Sequence, residues 1–149
     1  MTEVTRLARK LLPIQTVRVL IADDQKSVGT TLAELVQHFR HEVVEVVGSG
    51  LEAIHAYNRH RPDVVLMDYW MSNLNGATAC RNIVAKHPDA RVILVSGWLP
   101  LKDVSACGAI AVLAKPVDLD HLYNALHAAS RPVASSAMSE GESSVATGS

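Results

Sequence analysis

Five polar residues sit at the ends of four apolar runs, and their types suit phosphoryl chemistry. The runs are VRVLIADD (17–24), DVVLMD (63–68), RVILVSG (91–97) and AIAVLAKP (109–116). In a parallel sheet the carboxyl ends of such strands open on one crevice, where ligands bind. The crevice would gather Asp23, Asp24, Asp68, Ser96 and Lys115. Adjacent carboxylates at Asp23 and Asp24 suit a hard cation such as Mg²⁺, which takes oxygen ligands and keeps several waters. Asp68 can attack phosphorus to give an acyl phosphate. An anion attacking an anionic phosphoryl group needs neutralising cations, and a metal with Lys115 would supply them. Ser96 can donate its hydroxyl to a phosphoryl oxygen. Taken singly, each residue has a plainer use. The Asp pair or Ser27 can cap a helix, Asp68 can close a turn, and a lysine at a strand end is usually solvated. The five together weigh against those readings.

The elements that must position this set are legible in the apolar pattern. Strands are expected at 17–22, 43–47, 63–67, 91–95 and about 109–114. Between them, 27–39 places Val28, Leu32, Leu35, Val36 and Phe39 on one helical face. Helices are also expected over 51–60, ended ahead of Pro62, over 76–86 with Ala79 and Ile83 inward, and over 118–129 with Leu119, Leu122, Leu126 and Ala129 at helical spacing. Short, almost wholly apolar strands alternating with helices predict a doubly wound α/β domain, a five-stranded parallel sheet covered on both faces. Between the fourth and fifth strands only WLPLKDVSACG is available, so the helix there is shortened to about two turns.

The chain has 149 residues, 48% apolar and 19% charged, which is one domain with an aliphatic core. A net charge of −1 gives no basic excess for a nucleic acid, and no apolar run is long enough to span a bilayer. Cys80 and Cys107 match no metal pattern and read as free thiols in a reducing cytoplasm. Residues 1–16 form an extension, with a short amphipathic turn around Leu7, Leu11 and Leu12 stopped by Pro13. Residues 17–129 form the domain. In 130–149 the composition turns serine-rich, which predicts a flexible tail or linker.

The segments IADDQ, PDVVLMDYWMSNLNG, VILVSG and LAKP resemble the receiver domain of two-component response regulators, over about 17–129. The stretches VRVLIADDQKSV and RHRPDVVLMD resemble receivers attached to helix-turn-helix output domains. The resemblance implies a flavodoxin-like fold and phosphorylation of Asp68 by a sensor histidine kinase or a phosphotransfer protein. It further implies Mg²⁺ held by Asp23, Asp24, Asp68 and the backbone carbonyl of Trp70. Ser96 becomes the switch hydroxyl, Lys115 the family's lysine, and Gly76 the glycine before the third helix. Such a domain supports its own phosphorylation and dephosphorylation but does not turn over an external substrate. It signals through phosphorylation-dependent protein contact, with a homodimer among the possible outcomes.

Three features depart from the family pattern. Met71-Ser72 stands where Met-Pro is usual, and Val112 replaces the switch aromatic of the fifth strand. The stretch from Ser96 to Lys115 is about three residues short. The response to phosphorylation is therefore expected to concentrate in Gly97 to Gly108, around Trp98, Leu99 and Leu101. The altered readout also keeps open a protein-binding module that works without phosphorylation. A metal-dependent phosphohydrolase would need an acid two residues after the nucleophile, where Trp70 stands.

Overall fold

The computed structural model describes residues 15–97 and 106–130. Five strands form one parallel sheet in the order β2-β1-β3-β4-β5. They are β1 (Arg18–Ala22), β2 (Glu42–Val47), β3 (Val64–Asp68), β4 (Val92–Ser96) and β5 (Ala111–Ala114). Four helices lie wholly among the described residues: α1 (Lys26–His38), α2 (Gly50–His60), α3 (Gly76–Lys86) and α4 (Leu119–Ala129). This is the doubly wound fold that the alternation predicts, in the flavodoxin-like form that the resemblance implies. The helix expected between β4 and β5, with Trp98, Leu99 and Leu101, falls largely outside the described residues. The N-terminal turn and the serine-rich segment also lie outside them.

Alternation along each strand divides the core into two layers. Leu20, Val65, Met67, Val92 and Leu94 face Ala53, Ala56 and Tyr57 of α2 and Ala79, Cys80 and Ile83 of α3. Val19, Ile21, Val64, Leu66, Ile93 and Val95 face Leu32 and Val36 of α1 and Leu122 and Leu126 of α4. Burial on both faces explains why the central strands read as unbroken apolar runs. The edges are less covered, and Val46 on β2 and Val112 on β5 are exposed.

Two helix starts add detail to the sequence reading. Leu119 shares the spacing of Leu122 and Leu126 but is half exposed. It is the first residue of α4, which is N-capped by Asp118 through the His121 amide, so it stands ahead of the stripe that Leu122 and Leu126 bury. Neither the Asp pair nor Ser27 caps α1. Its N-cap is Gln25, without a side-chain capping bond, and Ser27 lies inside the helix.

A buried imidazole ties α1 to the start of β1. His41 Nδ1 accepts a hydrogen bond from the Val17 amide at 3.0 Å, which requires the ring to be neutral at that nitrogen. Burial, and secondarily the neighbouring His127, lower its pKa. The unfolded chain takes up a proton here near pH about 6.5, and the folded chain only at lower pH. Stability from His41 is thus present above about pH 6.5 and lost as pH falls below it. His41→Gln, which retains an acceptor, should flatten the fall in melting temperature between about pH 7 and about pH 5.5. An unchanged pH slope would contradict this.

Candidate phosphoacceptor site

The sheet order reverses direction between β1 and β3, which places a crevice at their carboxyl ends. Ala22 pairs with Met67, so Asp23 stands level with Asp68. Asp68 pairs with Val95, and Val95 with Leu113, so Ser96 stands one residue beyond that level on β4 and Lys115 two residues beyond it after β5. The Lys115 amide donates to the Ser96 carbonyl at 3.0 Å. Register alone therefore brings Asp23, Asp68, Ser96 and Lys115 to one edge, and Asp24 follows in the loop.

The three carboxylates each offer an oxygen, and these oxygens lie within 4.8 Å of one another. It is the one such acidic, histidine or cysteine group found among the described residues. Lys115 Nζ lies 3.3 Å from Asp23 Oδ2 and 3.3 Å from Asp68 Oδ1. Asp23 Oδ1 also accepts from the Gln25 amide at 2.8 Å, which turns the chain out of β1 and aims both carboxylates at the crevice. Asp23, Asp68 and Ser96 are buried, while Asp24 is exposed. Burial first, and the Asp23 charge second, push the Asp68 carboxyl above its usual range; Lys115 opposes them. A single ammonium thus incompletely balances three acids. Such a donor set is short of positive charge and rich in hard oxygen ligands, which fits a divalent cation of the Mg²⁺ type.

The loop from 69 to 75 is held closely. The Trp70 amide donates to Asp68 Oδ1 at 3.4 Å, and its ring is half exposed, edge-on to Tyr69. Gly76 donates to the Tyr69 carbonyl at 2.7 Å. A Cβ on Gly76 would stand 2.3 Å from the Asp68 carbonyl oxygen, and one on Gly50 would stand 2.7 Å from that of Leu74. Both obstacles are backbone, so Gly76→Ala must displace the chain carrying Asp68. It should cost about 1–3 kcal/mol, read as a lower urea midpoint at an unchanged slope. A midpoint equal to the parent's would show that the loop yields freely.

The Lys115–Pro116 peptide is cis, as the tight turn after β5 allows. Sequence reasoning did not single out Gly50 for this clasp, nor Ser72, whose hydroxyl donates to Asp24 Oδ2 at 3.4 Å. The only signal for Ser72 was its departure from Met-Pro. Gly50 gave no signal beyond a glycine at a helix start.

The sequence profile of the response regulator receiver domain matches residues 19–127. The chain belongs to the response regulator receiver family. Chemotaxis protein CheY of Listeria monocytogenes is 32% identical over 117 residues, covering 76% of this chain and 98% of that protein. The transcriptional regulatory protein PdtaR of Mycobacterium tuberculosis is 33% identical over 114 residues, covering 75% of this chain and 56% of that protein. Among solved structures, the CheX–CheY–BeF₃–Mg²⁺ complex from Borrelia burgdorferi superposes with a TM-score of 0.71 at 26% identity, covering 75% of this chain and 87% of that one. The signal receiver domain of NarL from Mycobacterium tuberculosis gives 0.74 at 23% identity, over 78% and 98%, and shares the fold. The protein is therefore a receiver domain of the phosphoacceptor signalling type. No described helix is long and apolar enough to cross a membrane.

Proposed function

We propose that Asp68 accepts a phosphoryl group from a histidine kinase or phosphotransfer protein, within a receiver spanning about 17–129, in the cytoplasm. The observation that carries this reading is the cluster of Asp23, Asp24 and Asp68 with Lys115 bridging the two buried acids. A carboxylate oxygen of Asp68 attacks phosphorus. The bond from phosphorus to the donor breaks, and an acyl phosphate forms. Mg²⁺, when bound, neutralises phosphoryl oxygens and lowers the repulsion between attacking and attacked anions. Asp23, Asp24, Asp68 and the Trp70 carbonyl would hold it. Lys115 offsets the remaining charge, and the Ser96 hydroxyl donates to a phosphoryl oxygen. The chain then acts by protein contact and not by turnover of an external substrate. Ile110, Val112, Leu119 and Tyr123 are exposed apolar side chains available to a partner or a second copy.

With a small acyl phosphate or phosphoramidate donor and Mg²⁺, intact mass should rise by one phosphoryl group, and peptide mapping should place it on Asp68. Labelling should vanish with chelator and in Asp68→Asn. Equal labelling of Asp68→Asn would move the acceptor elsewhere. Absence of labelling in the parent protein would favour a phosphorylation-independent binding module.

A further inference from the structure

We propose that Cys80 and Cys107 form a redox modification site, in which oxidation joins the two sulfurs and ties α3 to the connection between β4 and β5. Both residues are buried free cysteines. Cys80 lies on the inner face of α3, and its Sγ donates to the Cys107 carbonyl at 3.3 Å. The Cys80 sulfur is thus already against the backbone of the residue it would bond.

A second contact fixes the same approach. Gly108 has a φ of +88°, a conformation that side chains disfavour, and a Cβ there would meet Val84 Cγ1 at 3.2 Å. Val84 lies one helical turn beyond Cys80 on α3. The backbone at 107 and 108 therefore lies against side chains of this turn of α3 at two consecutive residues, which favours the close approach of two cysteines that a disulfide needs. This placement does not depend on Asp68 or on any phosphoryl transfer.

A small-molecule disulfide, such as oxidised glutathione, is a sufficient oxidant. One protein thiolate attacks a reagent sulfur and releases one reduced thiol. The second protein thiolate then attacks the protein-bound sulfur and releases the other. Two S–H bonds are lost from the protein, one S–S bond forms within it, and the two protons and two electrons leave with the reduced reagent. Burial, and then the adjacent Cys107, hold the Cys80 thiol well above its ordinary pKa. Thiolate is scarce while the contact is closed, so exchange proceeds through local opening at Cys107. The cross-link has structural reach because the bridged connection leaves β4 at Ser96 and returns in β5, which leads to Lys115.

The full chain should be equilibrated in glutathione redox buffers, quenched with acid, alkylated under denaturing conditions and weighed. The expected product is monomeric, lighter by two hydrogens, closed to alkylation at both cysteines, and restored by reductant. Cys80→Ala and Cys107→Ala should each lack it while keeping the parent's circular dichroism. The equilibrium constant for closure in the folded chain should exceed that of the urea-unfolded chain by about tenfold or more. A folded value equal to or below the unfolded one would overturn the proposal. So would persistent glutathione adducts or intermolecular dimers as the main products.

Discussion

Lys115→Met is expected to lower the stability of the metal-free domain by about 1–3 kcal/mol, and Mg²⁺ is expected to restore most of the loss. Lys115 Nζ lies 3.3 Å from carboxylate oxygens of Asp23 and Asp68. The Asp23 side chain has no exposed surface and that of Asp68 almost none, whereas Lys115 is about a quarter exposed. Removing one partner of a fully buried ion pair costs about 3–5 kcal/mol, because the other charge is left unpaired in a poor solvent. Partial solvation of the ammonium reduces that figure. Asp68→Asn should act in the opposite direction. Burial and the Asp23 charge raise the Asp68 pKa, so the folded state binds that proton more tightly than the unfolded chain does. Its favourable contribution is complete below the ordinary carboxylate pKa of about 3.9 and disappears as pH rises through the raised value. At neutral pH the ionised carboxylate is a net cost, and asparagine removes it. In Lys115→Met/Asp68→Asn the lysine substitution should therefore cost less than it does alone. Urea titrations of the four proteins with and without Mg²⁺ measure all four effects. Coincident midpoints throughout would mean that the crevice solvates its carboxylates well enough to need no counter-ion.

The same crevice shows why so much of this chain was legible in its sequence. Apolar runs that end in Asp, Asp, Ser or Lys carry two messages at once. Burial on both faces of the central sheet makes the run continuous, and the parallel arrangement sends every polar terminus to one edge. Strand register then leaves little freedom: Ala22 opposite Met67 and Ser96 opposite Ala114 fix the levels of Asp23 and Lys115. Helices α2 and α3 were legible for a similar reason. Ser49 and Asn75 cap them, and Ala53, Ala56, Ala79 and Ile83 recur at helical spacing on the buried side.

What escaped the sequence depends on contacts between distant backbones or on where an apolar stripe begins. Leu119 shares the spacing of Leu122 and Leu126, yet it falls at the first turn of α4, beyond the sheet that buries the others. Gly50 and Gly76 have no side chain to announce a role, and their importance appears only when Leu74 and Asp68 lie against them. Ser72 looked like a missing proline. It instead supplies a hydroxyl to Asp24, a bond that proline could not make. The carboxyl terminus of β3 moved by one residue, so that Asp68 is the strand's last member and not its successor. That shift matters, because a ladder residue is held more rigidly than a loop residue.

Asp24→Ala should abolish measurable Mg²⁺-dependent phosphorylation while leaving the fold nearly as stable as the parent. Asp24 is exposed, and among the described residues it accepts only the long contact from Ser72, so its loss removes a ligand without opening the core. Substitution of groups that merely orient metal ligands commonly costs about 10–100-fold in metal affinity, and loss of a direct carboxylate ligand should cost no less. Asp23→Ala should also weaken Mg²⁺ binding, but with a different signature. Asp23 accepts the Gln25 amide and faces Lys115, so its removal loosens the turn into α1. It also relieves the repulsion on Asp68, whose pKa should fall. Ser72→Ala should weaken Mg²⁺ binding less than either, because Asp24 keeps its charge and loses only an orienting hydroxyl. Calorimetric titration with Mg²⁺, paired with urea midpoints, separates ligand loss from unfolding. If Asp24→Ala bound Mg²⁺ as the parent does, the metal would have to rest on Asp23, Asp68 and the Trp70 carbonyl. The exposed carboxylate would then serve only to repel or attract what approaches the crevice.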